Sequence, residues 1–93
     1  MEFLVQIQVN FPPEMPPEQL ADVLEREVAR GRELKANGTI ARIWRIPGRR
    51  ANVGIWRAET TDDLHAAIMS LPAFPWIDAR VTALATHHLE QAE

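Results

Sequence analysis

The sequence predicts an α+β fold with the element order βαββαβ, a four-stranded antiparallel sheet carrying two helices on one face. Apolar residues alternate with period two near both ends of the chain, which marks strands. Apolar residues at helical spacing mark two segments between them, and a proline-glycine turn joins two further strands in the middle.

The elements follow in order. Phe3, Val5, Ile7, Val9 and Phe11 alternate with Glu2, Leu4, Gln6, Gln8 and Asn10, as in a strand with one buried side. Pro12, Pro13, Pro16 and Pro17 end it, because proline cannot donate to a ladder but suits the first turn of a helix. A helix is expected from Pro17 to Asn37, closed by Asn37-Gly38. Leu20, Val23, Leu24, Val28 and Leu34 form its apolar stripe; Glu25, Arg26, Arg30, Arg32 and Glu33 lie at the edges or opposite. Residues 39–46 and 51–58 read as a hairpin around Pro47-Gly48-Arg49-Arg50. Ile40, Trp44 and Ile46 are expected on one face of its first strand, with Ala41, Ile43 and Pro47 on the other. In the second strand Ala51, Val53 and Ile55 oppose Gly54, Trp56 and Ala58. Thr60, three residues before Asp63, starts a short helix with Leu64, Ala67, Ile68 and Leu71 on one side, stopped by Pro72 and Pro75. From Trp76 to Thr86 a last strand carries Ile77, Ala79, Val81, Ala83 and Ala85 on one face, and a polar tail runs from His87 to Glu93. This order is the ferredoxin-like, split βαβ arrangement.

The chain of 93 residues is expected to form a single domain, residues 1–93, small enough to need a partner subunit. Both middle strands are apolar on both faces while helices cover only one side of a sheet, so a homo-oligomer is expected. The absence of cysteine excludes a disulfide framework, a thiolate metal site and a cysteine nucleophile. No leader-like start and no apolar run of membrane-spanning length is present, and a soluble cytoplasmic protein without a membrane partner is expected. A net charge of -3 argues against nucleic acid. Arg42, Arg45, Arg49 and Arg50 cluster nonetheless, either as a solvated face or as a site for an anionic small molecule.

Glu27 is the most informative residue. It falls near the middle of the apolar stripe, with Gly31 one turn later leaving space. A carboxyl in such a setting has its pKa raised and suits proton transfer near neutral pH. The competing reading turns Glu27 to solvent, or pairs it with an arginine. Arg42 and Trp44 share a strand face and Arg45 points to the other; a guanidinium can grip a carboxylate through two hydrogen bonds. Trp44 either walls a ring-shaped ligand or packs in a core or interface. Asn52, polar inside a strand, either binds a carbonyl or faces water. His65 reads as a surface residue, and His87 and His88 would point to opposite faces of a strand, so no metal site is expected. Ser70 lacks a nucleophile-elbow setting, and no glycine-rich phosphate loop is present.

The stretch Trp44-Arg45-Ile46-Pro47-Gly48 followed by Ala51-Asn52 resembles the W-R-I-x-G-x-x-A-N segment of muconolactone isomerases. Leu64-His65 and Ser70-Leu71-Pro72-Ala73-Phe74-Pro75 resemble their L-H and L-P-x-F-P segments, and the likeness runs along nearly the whole chain. The resemblance implies a ferredoxin-like fold assembled as dimers into a decamer. It implies a cofactor-free step of the β-ketoadipate pathway of aromatic catabolism, turning muconolactone, a small anionic lactone, into 3-oxoadipate enol-lactone through a dienolate. Such chemistry needs a base in a dry pocket, a donor for the oxyanion and a cation for the free carboxylate. By resemblance Glu27 is the base, Arg45 or Arg49 holds the carboxylate, Asn52 helps the oxyanion and Trp44 lines the site. The chain departs from the family pattern at Leu4, Val28, Arg42 and Arg50, and Thr86-His87-His88-Leu89 lacks the usual His-Pro pair. Two alternatives therefore accompany the isomerase reading: an isomerase or dehalogenase of a substituted muconolactone, and a non-catalytic oligomeric binding protein.

Overall fold

The computed structural model describes residues 1–90. Strand β1 spans Glu2–Val9, helix α1 Pro17–Ala36, β2 Ile40–Arg45, β3 Ala51–Arg57, helix α2 Thr61–Met69 and β4 Ile77–Leu84, with short 3-10 turns at Phe74–Trp76 and His88–Glu90. The sheet runs β2-β3-β1-β4 and its neighbours are antiparallel. This is the expected βαββαβ, ferredoxin-like arrangement.

The local signals act as their chemistry requires. Pro17 occupies the first turn of α1, where its missing N–H costs nothing. Gly38 follows the Asn37 cap at φ 85°, the left-handed region that glycine enters without a Cβ clash. The Thr60 hydroxyl accepts from the Asp63 N–H at 3.0 Å and caps α2. That helix ends at Met69 with Ser70 as its cap, before Pro72 is reached.

Phe3, Val5 and Ile7 of β1 and Trp56 of β3 form the floor of the core, and all are buried. Leu34 of α1 and Leu64 and Ile68 of α2 close over them, with Leu71 just beyond. Each such side chain stabilises the fold by roughly 1.5–3 kcal/mol. Both helices therefore lie on the Phe3-Val5-Ile7 side. The other side of the sheet carries Leu4, Val53 and Ile55, each part-exposed.

Three sequence expectations are corrected, those for the end of β1, the faces of β2 and the buried stripe of α1. Strand β1 ends at Val9, not Phe11; Phe11 leaves the ladder and its ring meets that of Trp76 at 5.5 Å. In β2 the register slips between Ile40 and Arg42, so Ile40 pairs with Trp56 while Ile43 pairs with Gly54. The extra residue puts Ile40 on the same side as Ile43 and Arg45, not with Trp44. In α1 the buried positions are Val23 and Leu34, whereas Leu24 and Val28 are 43% and 52% exposed. In β4, Ala79, Val81 and Ala83 do face the helix side, opposite Ile7, Val5 and Phe3. They are nevertheless exposed, because neither helix reaches over this edge strand. Of the polar tail, residues 91–93 lie outside the described residues.

The β2 irregularity places a demand on β3. A Cβ built on Gly54 would lie 2.6 Å from the Arg42 carbonyl oxygen. Gly54→Ala is expected to lower stability by about 1–3 kcal/mol in a denaturant titration, because the obstacle is backbone. A midpoint equal to that of the unsubstituted protein would contradict this account of the bulge.

Candidate active site

The site lies where the core ends, between the middle of α1 and the β2–β3 hairpin. A cavity of about 510 Å³ opens there. Leu24 and Glu27 of α1 line it on one side, and Ile43, Trp44 and Arg45 of β2 on another. Arg50, Ala51 and Asn52 come from the hairpin's return, Val9 and Phe11 from the end of β1, and Ala73 from the segment after α2.

Helical spacing puts Glu27 one turn from Val23, which is buried, and from Leu24, so the carboxyl enters the cavity from an apolar helix face. One carboxyl oxygen, Oε1, accepts the backbone N–H of Ala73 at 3.1 Å. Loss of water around the carboxyl pushes the Glu27 pKa above its ordinary value of 4.5, and the Ala73 bond pulls in the opposite direction without cancelling that rise. Partial burial and a raised pKa match the desolvated carboxyl expected from the sequence, not the solvated edge residue.

Arg45 and Asn52 are direct partners across the β2–β3 ladder, so both belong to the sheet face on which the helices lie. Asn52 Oδ1 is buried and finds no hydrogen-bond partner among the described residues. An unpaired buried amide costs about 1–3 kcal/mol, which a ligand hydrogen bond would recover. Among the described residues no carboxylate lies within salt-bridge distance of Arg45 or Arg50. Arg50 rests over the Phe11 ring at 5.9 Å. Trp44 lines the cavity from the edge strand, with the Arg42 guanidinium 4.9 Å from its ring.

The structure thus brings together Glu27, Arg45 and Asn52; Trp44 borders the same cavity from a strand position paired with Val53, on the opposite sheet face. The fold does not bring Arg49, expected as a carboxylate ligand, to this cavity: Arg49 borders a depression with Gln6, Gln8, Asp78 and Arg80. Its neighbour Arg50 occupies the cavity instead, since adjacent residues of a turn diverge. Sequence reasoning placed Arg50 in the cluster without a role, and missed Phe11 and Ala73. Phe11 was hidden by an alternation that continued past the strand end, and Ala73 contributes only backbone. His65 is exposed. His87 and His88 lie beyond β4 and their rings stack at 4.4 Å, rather than pointing to opposite faces of a strand.

A carboxyl kept partly dry, a guanidinium and an unsatisfied amide around an apolar hollow suit an uncharged ring with an anionic arm. Comparison with known proteins points the same way. The family model described as muconolactone delta-isomerase matches residues 1–90. A muconolactone delta-isomerase of Cupriavidus pinatubonensis is 37% identical over 94% of this chain and 95% of its own length. That of Acinetobacter baylyi is 34% identical over 94% of this chain and 91% of its own. A crystal structure of muconolactone isomerase superposes with a TM-score of 0.92 at 30% identity, covering 100% of this chain and 97% of that one.

The raised pKa of Glu27 has a consequence for stability. A carboxyl with a higher pKa in the folded state contributes stability that is full below its unfolded pKa and lost as pH rises through the folded one. Glu27→Gln removes the buried charge. The variant is expected to be more stable than the parent at about pH 8, with the gap closing towards about pH 4. A gap that is constant or reversed across that range in parallel urea titrations would show that burial does not raise this pKa.

Proposed function

The chain belongs to the muconolactone delta-isomerase family, and we propose that it converts muconolactone to 3-oxoadipate enol-lactone with Glu27 as the group that moves the proton. The observation that carries the assignment of the base is the partly buried Glu27 carboxyl, facing the same cavity as Arg45 and Asn52.

The reaction is a 1,3-shift of one proton. Glu27 as carboxylate takes the proton from the ring carbon that bears the side chain. The C–H electron pair becomes a new ring double bond, and the original double bond moves towards the lactone carbonyl, whose oxygen gains the charge of a dienolate. Protonated Glu27 then delivers a proton to the carbon alpha to the carbonyl, and the carbonyl re-forms. Substrate and product contain the same atoms, and Glu27 returns to its starting state.

A raised carboxyl pKa narrows the gap to the carbon acid and makes the abstraction easier, while the return of the proton to the dienolate carbon stays downhill. The Asn52 amide meets the oxyanion, where hydrogen bonding matters most as charge develops. Arg45 holds the free carboxylate of the side chain, and a planar guanidinium fixes its orientation through paired hydrogen bonds. Phe11 flanks the ring and limits water, and Trp44 borders the cavity at the edge strand.

The same reading includes self-association in the cytoplasm, as dimers built into a decamer. No helix among the described residues is long and apolar enough to cross a membrane. Val28 and Val81 are 52% and 46% exposed, and β4 presents both an open edge and an uncovered apolar row. A second copy supplies matching apolar surface and pairs the edge.

Purified protein mixed with muconolactone is expected to produce the enol-lactone without added cofactor, and 5-chloromuconolactone run beside it reports any halide release. Folded protein that turns over neither compound would overturn the proposed activity. Sedimentation velocity on the same sample is expected to show an assembly far larger than one chain, and a monomer would refute the proposed assembly.

A further inference from the structure

Two hydrogen bonds tie α1 to the segment that follows α2. The first is the Ala73 N–H to Glu27 contact already described. The second lies one turn further along α1, where Arg30 Nε donates to Ser70 Oγ at 2.9 Å. The same guanidinium donates from NH1 to Glu33 Oε2 at 2.8 Å, which fixes its plane. Ser70 is itself held, since its hydroxyl donates to the Ala67 carbonyl at 2.6 Å and its backbone N–H also turns back onto α2.

Glu27 and Arg30 are three apart on one helix and so share a face. Ser70 and Ala73 are three apart on a stiff segment. Leu71 between them is buried in the core, Pro72 has a restricted φ, and the Phe74 N–H bonds back to the Leu71 carbonyl at 2.9 Å. A displacement of Ser70 is therefore carried to Ala73. The Arg30–Ser70 contact is largely at the surface, where such a bond adds little stability. What it does determine is where the loop sits against the helix that carries Glu27.

We propose that Arg30 and Ser70 are a positioning pair: they hold the Ala73 N–H on the Glu27 carboxyl and so set the orientation of the group that moves the proton. The inference rests on the reading of Glu27 as the base. Neither residue touches the cavity; they act through the loop. The charged groups that share the Glu27 cavity are Arg45 from β2 and Arg50 from the hairpin turn, while Arg30 on its own helix is engaged by Ser70 and Glu33. The packed segment from Ser70 to Trp76 has no ionisable side chain. The backbone donor is consequently what that segment offers to the carboxylate, and its loss leaves desolvation unopposed.

Ser70→Ala removes the hydroxyl without changing any charge, and Ser70→Thr restores it. The decisive readout is the pH titration of the Glu27 carboxyl carbon by NMR. Its midpoint is expected to move upward in Ser70→Ala and to return in Ser70→Thr. With muconolactone as substrate, the acid limb of the kcat profile should move upward with it, with kcat falling on the order of tenfold and KM little changed. Arg30→Lys, which keeps the charge and loses the planar fork, should fall between parent and Ser70→Ala. A purely structural role would lower the unfolding midpoint and leave the titration where it was. A folded Ser70→Ala protein whose Glu27 titrates as in the parent overturns the proposal. The titration needs no turnover, so inactivity of the parent towards muconolactone would sink the base assignment separately.

Discussion

Phe3, Val5, Ile7 and Trp56 make an apolar floor on which both helices rest, and the site occupies the place where that floor gives way to Asn52 and Arg45. Core burial along β1 and β3 holds α1 at a fixed height above the sheet. That height leaves room for a ring between Glu27 and the β2–β3 ladder. The hairpin closes one side of the space and the segment after α2 closes another, so residues far apart in sequence line one cavity.

Glu27 is held by two opposed influences. Burial disfavours its charge, and one backbone N–H favours it. A proton carrier needs both. Burial makes the carboxylate a stronger base towards a carbon acid, and the backbone donor holds back that rise and favours the ionised form. The surrounding arginines bring a further consideration. Arg45 and Arg50 add positive charge near the cavity, which suits an anionic arm on the substrate and the charge that develops on the carbonyl oxygen.

Much of the fold was legible because it rests on periodicity. The alternation in β1 up to Val9, the Pro47-Gly48 turn and the Thr60 cap each report a local requirement that the tertiary structure respects, whereas the stripe of α1 is buried only at Val23 and Leu34. Glu27 was legible because it interrupts an apolar stripe. Other features were not local. The β2 bulge changes the face of every residue beyond it, and no alternation announces one extra residue. The apolar row of β4 revealed a face but could not reveal that no helix covers it. Choosing between Arg49 and Arg50 required the turn geometry. The Ala73 N–H carries no side-chain signal, and its contact with Glu27, like that of Arg30 with Ser70, joins segments some forty residues apart.

The central claim, that Glu27 moves the proton, is tested most directly by the turnover of Glu27→Gln, which keeps the shape and a group able to accept from Ala73 while removing the ionisable site. The account predicts that kcat for muconolactone falls by about 10²–10⁴-fold across the pH range while KM changes little. A Glu27→Gln protein that isomerises muconolactone at the parental rate would contradict it, and the base would then have to be sought elsewhere.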